Sequence, residues 1–157
     1  MSAYNFISFP VIFHYTQQQY IINQIMSQKD FITWSEEKSK LQEKENVPYF
    51  HTREIWFIST GLNVWVEQDG KNTNFSRPVL ILKKFNKHSF WGIPLSTQVK
   101  IGKTYFNFSF HDGIKSFANM SQLKLFSSKR LLRKIGVIHD AEFSILKEKI
   151  KSLIDDQ

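Results

Sequence analysis

Tyr105-Phe-Asn-Phe-Ser-Phe110 alternates apolar and polar residues without a break, which sets Phe106, Phe108 and Phe110 on one face of a strand. His111-Asp-Gly-Ile114 follows as a tight turn, because Asp-Gly supplies positive φ cheaply, and Ser116–Met120 returns as the hairpin partner. Three earlier apolar runs read as short strands: Glu54–Ile58, Arg77–Lys84 and Phe90–Leu95. Pro78 sits at the first positions of its run, where a strand tolerates proline. Phe85–Ser89 is a turn, Leu62–Val66 is strand-like, and Leu123–Phe126 is a candidate for one more short strand. After Asp140, a potential cap, the period becomes helical. Phe143, Leu146, Ile150 and Leu153 line one face, with Lys147, Lys149 and Lys151 largely off it.

The first third has another pattern. Thr16–Glu45 contains no Gly or Pro, is rich in Gln, Glu and Lys, and carries apolar residues at Ile21, Ile22, Ile25, Phe31, Trp34 and Leu41. It reads as helical, its charged end from Ser35 being a solvated helix or linker, and Pro48 stops it. Residues 1–15 read as extended or irregular. The expected organisation is therefore a helical extension over 1–50 and, over 51–157, a mainly β domain: a small, strongly curved barrel with a C-terminal helix packed on it.

Composition sharpens this. The chain has 157 residues and 41% hydrophobic positions, enough for one domain with a real core plus an extension. It has no cysteine, which excludes disulfides, thiolate catalysis and cysteine zinc sites. Apolar runs are too short for a transmembrane helix, and the apolar N-terminus lacks a basic segment and a cleavage site, so a cytoplasmic protein is expected. Charge is uneven: residues 1–50 hold four Lys against five acids, net −1, and residues 51–157 hold seventeen Lys plus Arg against nine acids, net +8. A basic domain suits a polyanion, of which nucleic acid is the commonest, although a solvated lysine surface gives the same count. The five histidines are scattered without ligand spacing, and the six glycines are solitary, so no metal, phosphate-loop motif or cofactor is expected.

Candidate chemistry centres on Val66–Leu82, VEQDGKNTNFSRPVLIL. Glu67 enters a polar loop and Arg77 leaves it. If the loop brings its ends together, arginine can grip two phosphate oxygens while the carboxylate accepts a proton; the alternative is an ion pair that only fixes the loop. Ser96 and Thr97 place two hydroxyls directly after a strand, a position equally ordinary for a turn. Ala118-Asn-Met-Ser-Gln-Leu-Lys124 interrupts an apolar strand with polar residues, as a bulge or an edge does.

Taken in order, Arg53-Glu-Ile-Trp, Val66-Glu-Gln-Asp-Gly, Arg77-Pro-Val-Leu-Ile-Leu, Ile93-Pro-Leu-Ser-Thr, Met120-Ser-Gln-Leu-Lys-Leu-Phe and Lys129-Arg-Leu-Leu-Arg-Lys-Ile-Gly resemble the MazF/PemK toxin family over about residues 52–155. The resemblance implies an SH3-like barrel of the MazF/PemK/CcdB type and a homodimer. It implies a metal-independent endoribonuclease that cuts single-stranded RNA, with a labile antitoxin as partner. The family's catalytic arginine falls on Arg77, its glutamate on Glu67, and its strand-end threonine on Ser96, with Thr97 adjacent. Many relatives read Thr-Ser where this chain reads Ser-Thr. Ser121 stands where one branch has an acid, which leaves no carboxylate base on that later strand.

Metal-free cleavage of this kind uses the RNA's own 2′-hydroxyl to attack phosphorus. Arg77 is then expected to stabilise charge, Glu67 to act as base, and Ser96 or Thr97 to bond a nonbridging oxygen. Gln68, Lys71, Lys83, Lys84, Ser121, Gln122 and Lys124 are expected RNA contacts, with Lys87, Lys129, Arg130, Arg133 and Lys134 along the backbone track. Trp65 and Phe75 are candidates to stack on bases, or else to pack in a core or dimer interface. The rival function is a non-catalytic barrel: a binding module or a gyrase-poison type of toxin.

Overall fold

The computed structural model describes residues 29–110 and 113–155. Every element described here lies within residues 31–157. The sequence readings over 1–28 and at His111-Asp112 lie outside the described residues.

The elements run α1 (Phe31–Glu43), β1 (Glu54–Ser59), β2 (Ser76–Lys84), β3 (Ser89–Ser96), β4 (Tyr105–Phe110) and β5 (Ile114–Asn119). A 3-10 turn (Met120–Gln122), β6 (Lys124–Ser127), a second 3-10 turn (Ser128–Arg130), β7 (Leu131–Val137) and α2 (Asp140–Asp155) complete the order. The strands form one antiparallel sheet in the order β4-β5-β3-β2-β1-β7, with β6 beside β3. β3 sets the curl. One edge pairs with β2, while the other pairs with β6 at Ser89–Gly92 and with β5 at Leu95–Ser96.

The domain is mainly β as expected, but the sheet does not close by strand pairing: β4 and β7 are the ends of the ladder among the described residues. Side-chain packing joins them instead. A Cβ on Gly136 of β7 would stand 2.5 Å from the Phe110 ring of β4, so the two ends approach where only glycine fits.

Alternation distributes the core. Ile55, Leu80 and Ile93 join Phe106, Phe108 and Phe110 and the α2 face Phe143, Leu146 and Ile150 in one buried cluster. Their sequence neighbours Trp56, Val79 and Ile81 point the other way, into a second cluster closed by Phe50, Phe90, Phe126 and Leu131. Both faces of β1 and β2 are thus buried, which is why those strands read as unbroken apolar runs. Removing a ring such as Phe143 from such a cluster costs about 3–5 kcal/mol.

Several boundaries differ from the sequence reading. Leu62–Val66 is not a strand; it forms an exposed loop tip in which Val64, Trp65 and Val66 are 73%, 90% and 73% exposed. With no paired strand beside it, the apolar composition there has no sheet to enter. β7 was not anticipated, because its pairing with β1 shifts register twice and the bulges erase any period of two. Within the described residues the leader helix covers only Phe31–Glu43, with Trp34 as its buried residue. Asp140 opens α2 and forms an ion pair with Arg53, while the Phe143 N–H donates to the His139 carbonyl at 2.9 Å. No helix among the described residues is long and apolar enough to cross a membrane.

Candidate active site

β1 and β2 meet in register at Ser59↔Ser76 and Ile58↔Arg77, and the chain between them folds back on itself as a tied loop. Gly61 N–H donates to the Phe75 carbonyl at 3.0 Å, and Gly70 N–H donates to the Gly61 carbonyl at 2.7 Å. Lys71 and Ser76 exchange both backbone bonds at 2.8 Å. Asn63 completes the bracing: its N–H donates to Asp69 Oδ1 at 2.6 Å and its Nδ2 to the Gln68 carbonyl at 2.8 Å. The bends fall at Trp65, Asn72 and Phe75, with φ of 45°, 60° and 45°.

This loop fixes Arg77. Its Nε–H donates to the Asp69 carbonyl at 2.7 Å and its Nη1 to the Leu95 carbonyl at 3.3 Å, so the guanidinium bridges the loop and the end of β3. Burial pulls its pKa below the ordinary arginine value and the nearby Asp69 charge pulls it back; an arginine in this setting stays cationic. Around it lies a cleft of about 210 Å³ whose lining includes Arg77, Lys71, Ser96, Thr97, Gln98 and Phe57. Gln98 N–H donates to Ser96 Oγ at 3.1 Å, which fixes the hydroxyl oxygen and leaves its proton for another acceptor. The cleft therefore gathers an ammonium from the loop, a guanidinium from the start of β2 and two hydroxyls at the end of β3, a donor set suited to phosphate oxygens.

Glu67 is placed elsewhere. It is exposed, its Oε2 accepts from the Val64 N–H at 2.9 Å, and it is absent from the cleft lining. Its neighbours form a second polar group on the loop. Gln122 spans the loop there, with Oε1 accepting from Gln68 N–H at 3.2 Å and Nε2 donating to the Val66 carbonyl at 3.4 Å. Lys124 Nζ donates to Asn63 Oδ1 at 3.4 Å. Burial lowers the Lys124 pKa chiefly, against which the Glu67 charge raises it. Gln68 Oε1 is buried without a hydrogen bond, and Ser121 is exposed, its Oγ donating to Asn119 Oδ1 at 2.8 Å.

The wider set of cations separates in the same way. Lys83 and Lys87 are exposed. Lys84 donates to the Phe50 carbonyl at 2.8 Å and stands over the Tyr49 ring. Lys129 bonds the Gln42 carbonyl, Arg130 Nη1 bonds the Ser59 carbonyl at 2.8 Å, and Lys134 pairs with Glu54 at 2.6 Å. These four hold the fold together. Arg133 lies 4.6 Å over the Phe57 ring and lines a hollow of about 350 Å³ that shares Phe57, Asn72 and Ser76 with the Arg77 cleft. Of the two aromatic candidates, Trp65 is open to solvent, whereas Phe75 is buried edge-on against Trp34. Sequence reading missed three participants: Phe57, Gln98 and the Asp69 carbonyl. Gln98 directly follows the two hydroxyls, a signal that was there to use, whereas a main-chain acceptor leaves none.

The fold and cleft define a small antiparallel β domain with an arginine-centred site at a loop root. The chain belongs to the family of PemK-like, MazF-like toxins of type II toxin–antitoxin systems, whose sequence profile matches residues 53–154. Among solved structures it resembles MazF from Deinococcus radiodurans, with TM-score 0.56, 15% identity, and 71% of this chain and 99% of that one covered. It also resembles a mycobacterial endoribonuclease in complex with its cognate antitoxin, with TM-score 0.54, 11% identity and coverage of 69% and 98%. The Mycobacterium tuberculosis toxin MazF-mt6 gives TM-score 0.50, 19% identity and coverage of 66% and 97%. At these identities the solved structures establish the fold. No curated protein matches the sequence.

Proposed function

We propose that the chain is a toxin endoribonuclease of a toxin–antitoxin pair. In this reading it works as a cytoplasmic homodimer, cuts single-stranded RNA without a metal, and is blocked by an antitoxin protein. One observation carries the reading: Arg77, clamped between the Asp69 and Leu95 carbonyls, shares one cleft with Ser96, Thr97 and Lys71. Family membership and the likeness to the mycobacterial endoribonuclease support it.

The chemistry follows from the donors. The RNA 2′-oxygen attacks phosphorus, the P–O5′ bond breaks, and a 2′,3′-cyclic phosphate and a 5′-hydroxyl result. Arg77 meets the charge growing on the nonbridging oxygens, with Lys71 beside it and Ser96 or Thr97 donating a further bond. Glu67 is the proposed base that takes the 2′-hydroxyl proton, and the leaving 5′-oxygen takes a proton from solvent water.

A second reading rests on the place of Glu67. Its carboxylate lies outside the cleft lining, so a cleft that binds a polyanion without cutting it accounts for the same geometry. End-mapping of RNA incubated with purified protein in EDTA separates the two. Cuts ending in 2′,3′-cyclic phosphate support the nuclease; intact RNA with growth arrest through DNA gyrase supports the rival.

A further inference from the structure

The leader helix α1 precedes residues 53–154, the stretch that matches the toxin family, yet its one buried side chain reaches the root of the Arg77 loop. Trp34 is 8% exposed. Its ring meets Phe75 edge-on at 5.5 Å between centroids and has the Arg130 guanidinium 5.5 Å from its own. It also sits against Gly61, where a Cβ would overlap the indole, and Gly61 holds φ of 85°. Two anchors keep the helix in place: Lys44 Nζ donates to the Leu131 carbonyl at 2.8 Å, and Lys129 bonds the Gln42 carbonyl.

From Gly61 the contacts continue to the site. Its N–H holds Phe75 and its carbonyl holds Gly70. Gly70 follows Asp69, whose carbonyl accepts the Arg77 Nε–H, and Phe75 lies two residues before Arg77 itself. We propose that Trp34 is a positioning residue for Arg77: the indole presses Gly61 into the bracket that sets the Asp69 carbonyl, and that carbonyl aims the guanidinium. The leader is then a brace for the reaction. A guanidinium that serves a transition state tolerates displacement poorly, and a misplacement of about 1 Å costs on the order of a hundredfold in rate. The proposal rests on the catalytic role given to Arg77 above.

The test uses the full chain with Trp34→Ala, Trp34→Phe and, as a control of lost stability, Phe143→Leu under α2. Two quantities are read: kcat and KM on a single-stranded RNA, and hydrogen exchange of the Arg77 Nε–H by NMR, its signal assigned by its loss in Arg77→Lys. Trp34→Ala is expected to lower kcat about ten- to a hundredfold with KM within about twofold, and to speed Nε–H exchange. Trp34→Phe restores most of both, and Phe143→Leu lowers Tm while leaving both unchanged. Should Trp34→Ala not fold, Trp34→Leu keeps apolar volume without a ring over Gly61 and gives the same reading. Wild-type kcat and exchange in the Trp34 variants, or an equal fall of kcat in Phe143→Leu, overturns the brace. If the wild-type chain cuts no RNA, the nuclease reading fails by itself, and Nε–H exchange still decides whether Trp34 positions Arg77.

Discussion

Arg77, the second residue of β2, donates its Nε–H to the carbonyl of Asp69, eight residues earlier, at 2.7 Å. The bond makes the loop its own arginine holder. With Nε and one Nη1 proton engaged on carbonyls, the guanidinium plane is fixed, and its remaining protons are available to a phosphate in the cleft. Backbone acceptors orient a cation without neutralising it, so the positive charge is preserved for the substrate.

Arg77→Ala is therefore expected to lower kcat by about 10²–10³-fold with the far-ultraviolet circular dichroism unchanged. Arg77→Lys recovers little, because an ammonium on a flexible stem cannot reproduce a planar fork held by two carbonyls. Steady-state rates on a fluorogenic single-stranded oligonucleotide measure this, and an alanine variant cutting at the wild-type rate removes Arg77 from the mechanism.

The sequence made the strands legible where a regular pattern existed. Phe106, Phe108 and Phe110 announced β4, and Asp-Gly announced a hairpin in which Gly113 holds φ of 79°. β7 stayed hidden because bulges interrupt its period, and Leu62–Val66 misled because an apolar run facing solvent reads like one facing a core. The Arg77, Ser96 and Thr97 grouping was legible only through the ordered motifs, since nothing local says that β3 ends beside the root of the loop. Glu67 shows the limit of spacing arguments. Expected at the loop's entrance after a strand, it lies instead beside the loop tip, where its side chain accepts from the Val64 N–H and does not line the cleft.

Glu67→Gln tests the base. Glutamine keeps an oxygen for the Val64 N–H, so the turn survives while the proton acceptor is lost. If Glu67 is the base, the variant loses rate mainly in kcat, with KM little changed, and its pH–rate profile differs from that of the wild type. A variant whose pH–rate profile matches the wild type excludes Glu67 and transfers the role to another group.

Salt dependence tests the cationic surface. Binding of a non-cleavable, 2′-deoxy single strand is expected to weaken linearly in log–log form, with a slope of about −0.7 for each phosphate neutralised. Lys71, exposed at the cleft, contributes one such contact, so Lys71→Ala makes the slope shallower by about 0.7. Lys84→Ala leaves the slope alone, because that ammonium is engaged with the Phe50 carbonyl. Equal slopes for wild type and Lys71→Ala, measured by fluorescence anisotropy from about 50 to 300 mM salt, place the RNA elsewhere.

Glu54 is expected to contribute stability that is lost in acid. It is 7% exposed at the start of β1, where it accepts from the His51 N–H at 2.9 Å, Trp56 Nε1 at 2.9 Å and Lys134 Nζ at 2.6 Å. Burial by itself pushes the carboxyl up, but the bonds from Lys134, the His51 backbone and Trp56 outweigh it, and the pKa lies below the ordinary value of 4.5. A group depressed in the folded state binds protons more readily in the unfolded chain. Its contribution is thus complete above the ordinary value and is lost as pH falls through the folded-state value. Glu54→Gln should lower Tm at pH 7, where the charge on Lys134 loses its partner, and the gap should narrow steadily below the ordinary carboxyl pKa as the wild-type carboxylate protonates. Thermal unfolding followed by circular dichroism between pH 3 and pH 7 reads the gap directly. Parallel curves across that range mean that the acid sensitivity of the fold lies in other carboxylates, and that the Glu54–Lys134 bridge between β1 and β7 is incidental to it.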